Sequence, residues 1–105
     1  MDKIKVEFGY GGYHQKVFSC SYKRITFKQL KNSRLLKGKI LDLMRQIESE
    51  NISGEAGRLH ATITFDCEIQ QVRFPESTEK LSKEFLVDKF LQRIEEAYYH
   101  MDGAI

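Results

Sequence analysis

Leu59-His60-Ala61-Thr62-Ile63-Thr64-Phe65-Asp66-Cys67-Glu68-Ile69-Gln70-Gln71-Val72-Arg73-Phe74 is the stretch on which the fold turns. Leu59, Ala61, Ile63, Phe65, Cys67 and Ile69 occupy odd positions, and the even ones from His60 to Gln70 are polar. Strict alternation marks a strand with one face buried and the other open to water or a partner. After Gln70-Gln71 the parity reverses, with Val72 and Phe74 now apolar. A straight strand over this stretch would run about 50 Å. A globule of this size has a radius of gyration of only about 13 Å. The strand must bend or break, and the parity change predicts a bulge at Gln70-Gln71.

Toward the N-terminus, Ile4, Val6 and Phe8 alternate with Lys5 and Glu7, and Phe18, Cys20 and Tyr22 alternate with Ser19 and Ser21. The two runs read as a hairpin joined by the glycine-rich loop Gly9-Tyr10-Gly11-Gly12-Tyr13. Thr26-Phe27-Lys28-Gln29 has the spacing of a capping box, which predicts a helical turn starting there. Asn32-Ser33 offers a fresh cap, and Leu36, Ile40, Leu43, Met44 and Ile47 form the stripe of an amphipathic helix over residues 34–50. Toward the C-terminus, Pro75 ends the strand and Ser77 or Thr78 can cap a final helix. Leu81, Phe85, Phe90, Leu91, Ile94, Ala97, Tyr98 and Met101 give that helix a wide apolar face, with one of Tyr98 and Tyr99 turned inward. The expected fold is α+β in two layers, with helices on one face of a small antiparallel sheet of three or four strands (hairpin, helix, long bent strand, C-terminal helix).

The 105 residues form a single domain, 1–105, by the usual size prior, with one proline and no internal repeat. No apolar run exceeds three residues, as in Phe85-Leu86-Val87, so a membrane span is not expected. The start Met1-Asp2-Lys3 runs into a strand without the pattern of a secretory leader. The expectation is a cytoplasmic chain whose two cysteines, Cys20 and Cys67, are buried thiols. The net charge of +2 excludes a uniformly basic coating protein. It conceals an asymmetry: residues 1–45 carry 11 Lys or Arg and 3 acids, a net +8, and residues 46–105 carry 6 and 12, a net −6. Such asymmetry points to a charged partner.

Arg34, Lys37 and Lys39 sit at the start of the first long helix, and Glu48 and Glu50 at its end. That order opposes the helix macrodipole at a cost of about 0.3–1 kcal/mol per charge. Lys28 and Lys31 lie just upstream. Lys28, Lys31, Arg34 and Lys37 are the candidate binding residues, for phosphate or an acidic partner at a helix start; a solvated lysine face is the alternative. Tyr10 and Tyr13, with His14, are candidate exposed rings for stacking on bases or anchoring an interface. Asp66 and Glu68, two apart on one strand face, could bring carboxylates within about 7 Å for a divalent metal, although a solvated sheet face explains them as well.

No nucleotide, nucleophile or Cys/His ligand pattern is present, so no catalytic residue, metal or cofactor is expected. These features predict a small non-catalytic module, of regulator or inhibitor type, that docks onto another protein through charged surfaces. The alternative is an accessory protein that binds nucleic acid through the basic helix start and the loop tyrosines. A metal-dependent enzyme built on Asp66 and Glu68 ranks third. The oligomeric state is open, and an uncovered sheet edge leaves a homodimer possible.

Overall fold

A computed structural model describes residues 3–11, 16–52, 54–75 and 82–102. Strands β1 (Lys3–Tyr10) and β2 (Lys16–Lys23) form the expected hairpin. A short helix α1 (Arg24–Phe27), a 3-10 turn (Leu30–Asn32) and the long helix α2 (Arg34–Ser49) follow. A second 3-10 turn (Gly54–Gly57) leads into β3 (Leu59–Phe65), β4 (Glu68–Arg73) and helix α3 (Lys83–Asp102). The fold is α+β: four antiparallel strands in the order β2-β1-β3-β4, with the helices packed against the sheet. A hairpin followed by a long helix thus occurs twice, with the first strand of each hairpin in the centre of the sheet. No helix among the described residues is long and apolar enough to cross a membrane.

The alternation read from the sequence sets the two faces. Ile4, Val6 and Phe8 of β1 pair with Phe65, Ile63 and Ala61 of β3, and all six are buried beneath the helices. Leu36, Ile40, Leu43 and Ile47 of α2 and Val87, Phe90, Leu91, Ile94 and Tyr98 of α3 close the core from above. Burying such side chains stabilises the fold by about 1.5–3 kcal/mol each. Ser33 caps α2, its hydroxyl accepting from the Leu36 N–H at 3.3 Å.

The long strand breaks earlier than its parity suggests. It turns at Asp66-Cys67, not at Gln70-Gln71, and Phe65 pairs directly with Glu68. A two-residue turn pairs odd positions with even ones, so parity reverses at the turn itself. Ile69 therefore stands opposite Thr64 on the open face and is 71% exposed. Its apolar side chain extended the odd-position pattern two residues past the true corner and moved the predicted break to Gln70-Gln71. Asp66 takes φ 53, a left-handed conformation that aspartate tolerates better than most residues.

Other expectations are corrected. Cys67 lies exposed in the turn, and Cys20 is only half-buried because β2 is an edge strand. The Thr26 capping box does not form: Thr26 lies inside α1, and its hydroxyl donates back to the Lys23 carbonyl at 2.9 Å. Phe85 is 52% exposed, because it lies on the face of α3 opposite Val87 and Ile94, which are buried. Leu81, Ser77 and Thr78 lie outside the described residues; at the start of α3 the Ser82 hydroxyl accepts from the Phe85 N–H at 3.2 Å.

Candidate functional site

At the helix start that carries the expected anion site, only Lys37 of the four candidate side chains is engaged in an ion pair among the described residues. Lys28, Lys31 and Arg34 are exposed. Lys37 reaches across to Asp88 of α3, 2.7 Å away, and at the other end of α2 Glu48 meets Lys83 at 2.6 Å. The two helices run antiparallel, so charges that oppose the dipole of α2 are matched by opposite charges on its neighbour. Exposed pairs of this kind contribute only about 0–1 kcal/mol each, enough to offset the dipole penalty.

The residue missing from the sequence reading is Glu95. It is 5% exposed, and its Oε1 accepts from the Lys31 backbone N–H at 2.9 Å. An internal carboxylate thus occupies the backbone donor beside Lys31. Its signal was its place on the helix, four residues after Leu91 and three before Tyr98, inside the apolar stripe. Burial holds the Glu95 carboxyl above the usual glutamate range, while the Lys31 N–H and the Lys31 charge pull it down. Because the folded chain binds this proton more tightly, Glu95 adds stability below the ordinary glutamate pKa. That stability is lost as pH rises through the raised folded value. Glu95→Gln keeps an acceptor and removes the buried charge. It is expected to be the more stable protein at neutral pH, with the gap closing on acidification below the ordinary glutamate range. Urea midpoints across that window check it, and a gap independent of pH would count against the buried charge as its cause.

Tyr10 is not a loop ring. It is the last residue of β1, faces the helices and is buried; its hydroxyl donates to Glu50 Oε2 at 3.2 Å and accepts from Gln46 Nε2 at 3.4 Å. The period of two continues from Phe8 to Tyr10 and carries the ring inward. Tyr13 and His14 lie outside the described residues. Asp66 and Glu68 do not share a strand face, since one is in the turn and the other starts β4 on the helix side. Among the described residues no group of three or more His, Cys, Asp and Glu side chains is placed to hold a metal ion.

The feature that emerges instead is the open face of the sheet. Register places Ser21, Lys5, Thr64 and Ile69 in one row across the strands, and Ser19, Glu7, Thr62 and Gln71 in the next. Lys23 and Lys3 face each other at one end, and Lys16, Gly9, His60 and Arg73 line up at the other. Among the described residues the cations on this face are Lys3, Lys5, Lys16, Lys23 and Arg73, with Glu7 as the carboxylate. Glu7 is shared, at 3.8 Å from Lys5 and 3.2 Å from Lys16. Like charges directly opposite, as at Lys3 and Lys23, are destabilising by about 0.2–1 kcal/mol. At Gly9 the β1–β2 register slips, and the missing side chain leaves a shallow cavity of about 120 Å³ lined by Glu7, Gly9, Lys16, His60 and Thr62.

A larger open cavity, of about 620 Å³, lies on the opposite side between the end of α2 and the start of β3. Met44, Ile47, Leu59, Phe74 and Pro75 make it largely apolar, with Glu48 and Arg58 at its rim. Comparison of the chain with protein-family models, with curated proteins and with solved structures gives no match in any of the three.

Proposed function

We propose that the chain is a non-catalytic binding module that docks onto an acidic protein surface through the open face of its sheet. The observation that carries this reading is the composition of that face: among the described residues, Lys3, Lys5, Lys16, Lys23 and Arg73 stand against the single carboxylate of Glu7, set among Ser19, Ser21, Thr62 and Thr64. A cationic, hydroxyl-rich surface complements carboxylates in charge and in hydrogen bonding. An anionic partner relieves the cross-strand repulsion of Lys3 and Lys23. Nucleic acid is the competing ligand. Stacking on unpaired bases calls for aromatic rings, and the described residues of this face carry none, Tyr10 being turned into the core.

Fluorescence anisotropy with labelled polyglutamate, single-stranded DNA and duplex DNA tests the assignment at low and moderate salt. Polyglutamate is expected to bind, the Lys3→Ala, Lys5→Ala double variant to weaken it about tenfold, and Lys28→Ala with Lys31→Ala to leave it nearly unchanged. Tighter binding to either DNA, with the steep salt dependence of phosphate contacts, would replace this reading with the nucleic-acid one.

A further inference from the structure

β2 is an end strand of the sheet, paired only with β1 among the described residues, so one row of its backbone N–H and C=O groups lacks a neighbouring strand. Its side chains are unlike those of the other end strand. On the helix side Phe18, Cys20 and Tyr22 are only half-buried, although each is packed against the core. Phe18 stacks on Phe8 at 4.9 Å, and Tyr22 meets Phe27 edge-on at 5.8 Å. Burial raises the Tyr22 phenol above its ordinary range, and the adjacent Cys20 thiol adds to the effect. On the open side stand Ser19 and Ser21, small and exposed. Val17, displaced by the slip in register, is 43% exposed. The strand begins with Lys16, ends with Lys23 and contains no acid, and Lys39 of α2 stands 5.7 Å from the Phe18 ring. β4, by contrast, begins with Glu68 and ends with Arg73, and Val72 is its one buried side chain.

We infer that the edge of β2 is where the acidic partner adds a strand, in a docking mode that rests on the proposed function above. The occupant is an extended segment with alternate apolar residues and acidic residues at both ends. Main-chain hydrogen bonds to β2 supply affinity, and its apolar side chains cover the exposed flanks of Phe18, Cys20 and Tyr22. Its terminal carboxylates meet Lys16, Lys23 and Lys39. The same charges select against a second copy of this chain, since another β2 brings two more lysines and no acid to the seam. Lysines at the ends of a strand block self-pairing in this way.

The probe is a synthetic peptide alternating valine and threonine, with glutamates at both ends and blocked termini, titrated into the ¹⁵N-labelled protein. Every second backbone amide between Val17 and Tyr22 is expected to shift and to gain protection from hydrogen exchange. N-methylation of alternate peptide amides keeps every charge and removes ladder donors. It is expected to weaken binding about tenfold or more. Lys23→Glu is expected to weaken the glutamate-ended peptide and to favour one with lysine ends. Equal binding of the methylated peptide, with shifts at Lys5, Thr62 and Thr64, would overturn the strand addition and leave the acidic-partner reading standing. Shifts confined to β4 would place the edge wrongly, and a β2-linked dimer of the free protein would make a second copy the occupant. No binding of any acidic probe at low salt would sink the proposed function as well.

Discussion

Phe90→Ala is expected to destabilise the protein by about 3–5 kcal/mol, the usual cost of deleting a fully buried aromatic ring. Phe90 is the point at which α3 grips the sheet. It meets Phe8 of β1 edge-on at 6.1 Å and Phe74, just beyond β4, at 5.1 Å. Phe8 in turn stacks on Phe18 of β2. The substitution therefore opens a cavity where α3 meets β1 and the segment just after β4. A domain of this size is stable by about 5–15 kcal/mol in total, so the variant sits close to unfolding. Urea denaturation followed by circular dichroism reads the effect as a lower midpoint at unchanged slope. A loss below about 1 kcal/mol would mean that neighbours collapse into the space, and that this aromatic cluster does not set the packing.

The second large effect is expected at Gly57. A Cβ added there would lie 2.7 Å from the Ile52 carbonyl oxygen and 3.1 Å from its carbonyl carbon. Both are backbone atoms of the connection between α2 and β3, so no side-chain rotation relieves the clash. Gly57→Ala is expected to cost about 1–3 kcal/mol, in the range of overpacked sites. Gly38→Ala is the control, since nothing lies within 4 Å of a Cβ at that position. In the middle of α2, alanine there removes a helix penalty of about 1 kcal/mol. Thermal midpoints of the two variants are expected to move in opposite directions, and equal shifts would show that the close approach at Gly57 relaxes freely.

Local pattern made much of the fold legible. The period of two in Ile4–Phe8 and Leu59–Phe65 placed the central strands and their inner faces. The spacing of Leu36, Ile40, Leu43 and Ile47 placed α2 and its buried stripe, and Ser33 marked its start. The strand-to-strand corner was misplaced because one exposed isoleucine, Ile69, has the polarity of a core residue. A short turn with no glycine or proline, Asp66-Cys67, gave no competing signal.

The candidate site was legible only in part. The polar side of β3 was visible as His60, Thr62 and Thr64, and β1 supplied Lys5 and Glu7. That these residues share one surface with Lys23, Lys16 and Arg73 depends on strand order and register, which alternation alone does not specify. The lysines near α2 drew attention because charge against a helix dipole is costly, yet the cost is offset by Asp88, half a chain away. Tyr10 was assigned to the loop by its glycine neighbours, but its parity with Phe8 was the stronger influence.

The sequence by itself determined the strands β1 and β3, the helix α2 and the apolar side of each, because these follow from the period of the chain and the free energy of burial. Only the tertiary structure decided which polar residues stand together. Stacking β2, β1, β3 and β4 in that order gathered cations from β1, β2 and β4 onto one open face. The antiparallel packing of α2 on α3 set the first helix's charges against those of its neighbour. The charge asymmetry between the two halves of the sequence is therefore resolved in space: part of it pairs across the two long helices, and the rest defines a basic sheet face and its edge.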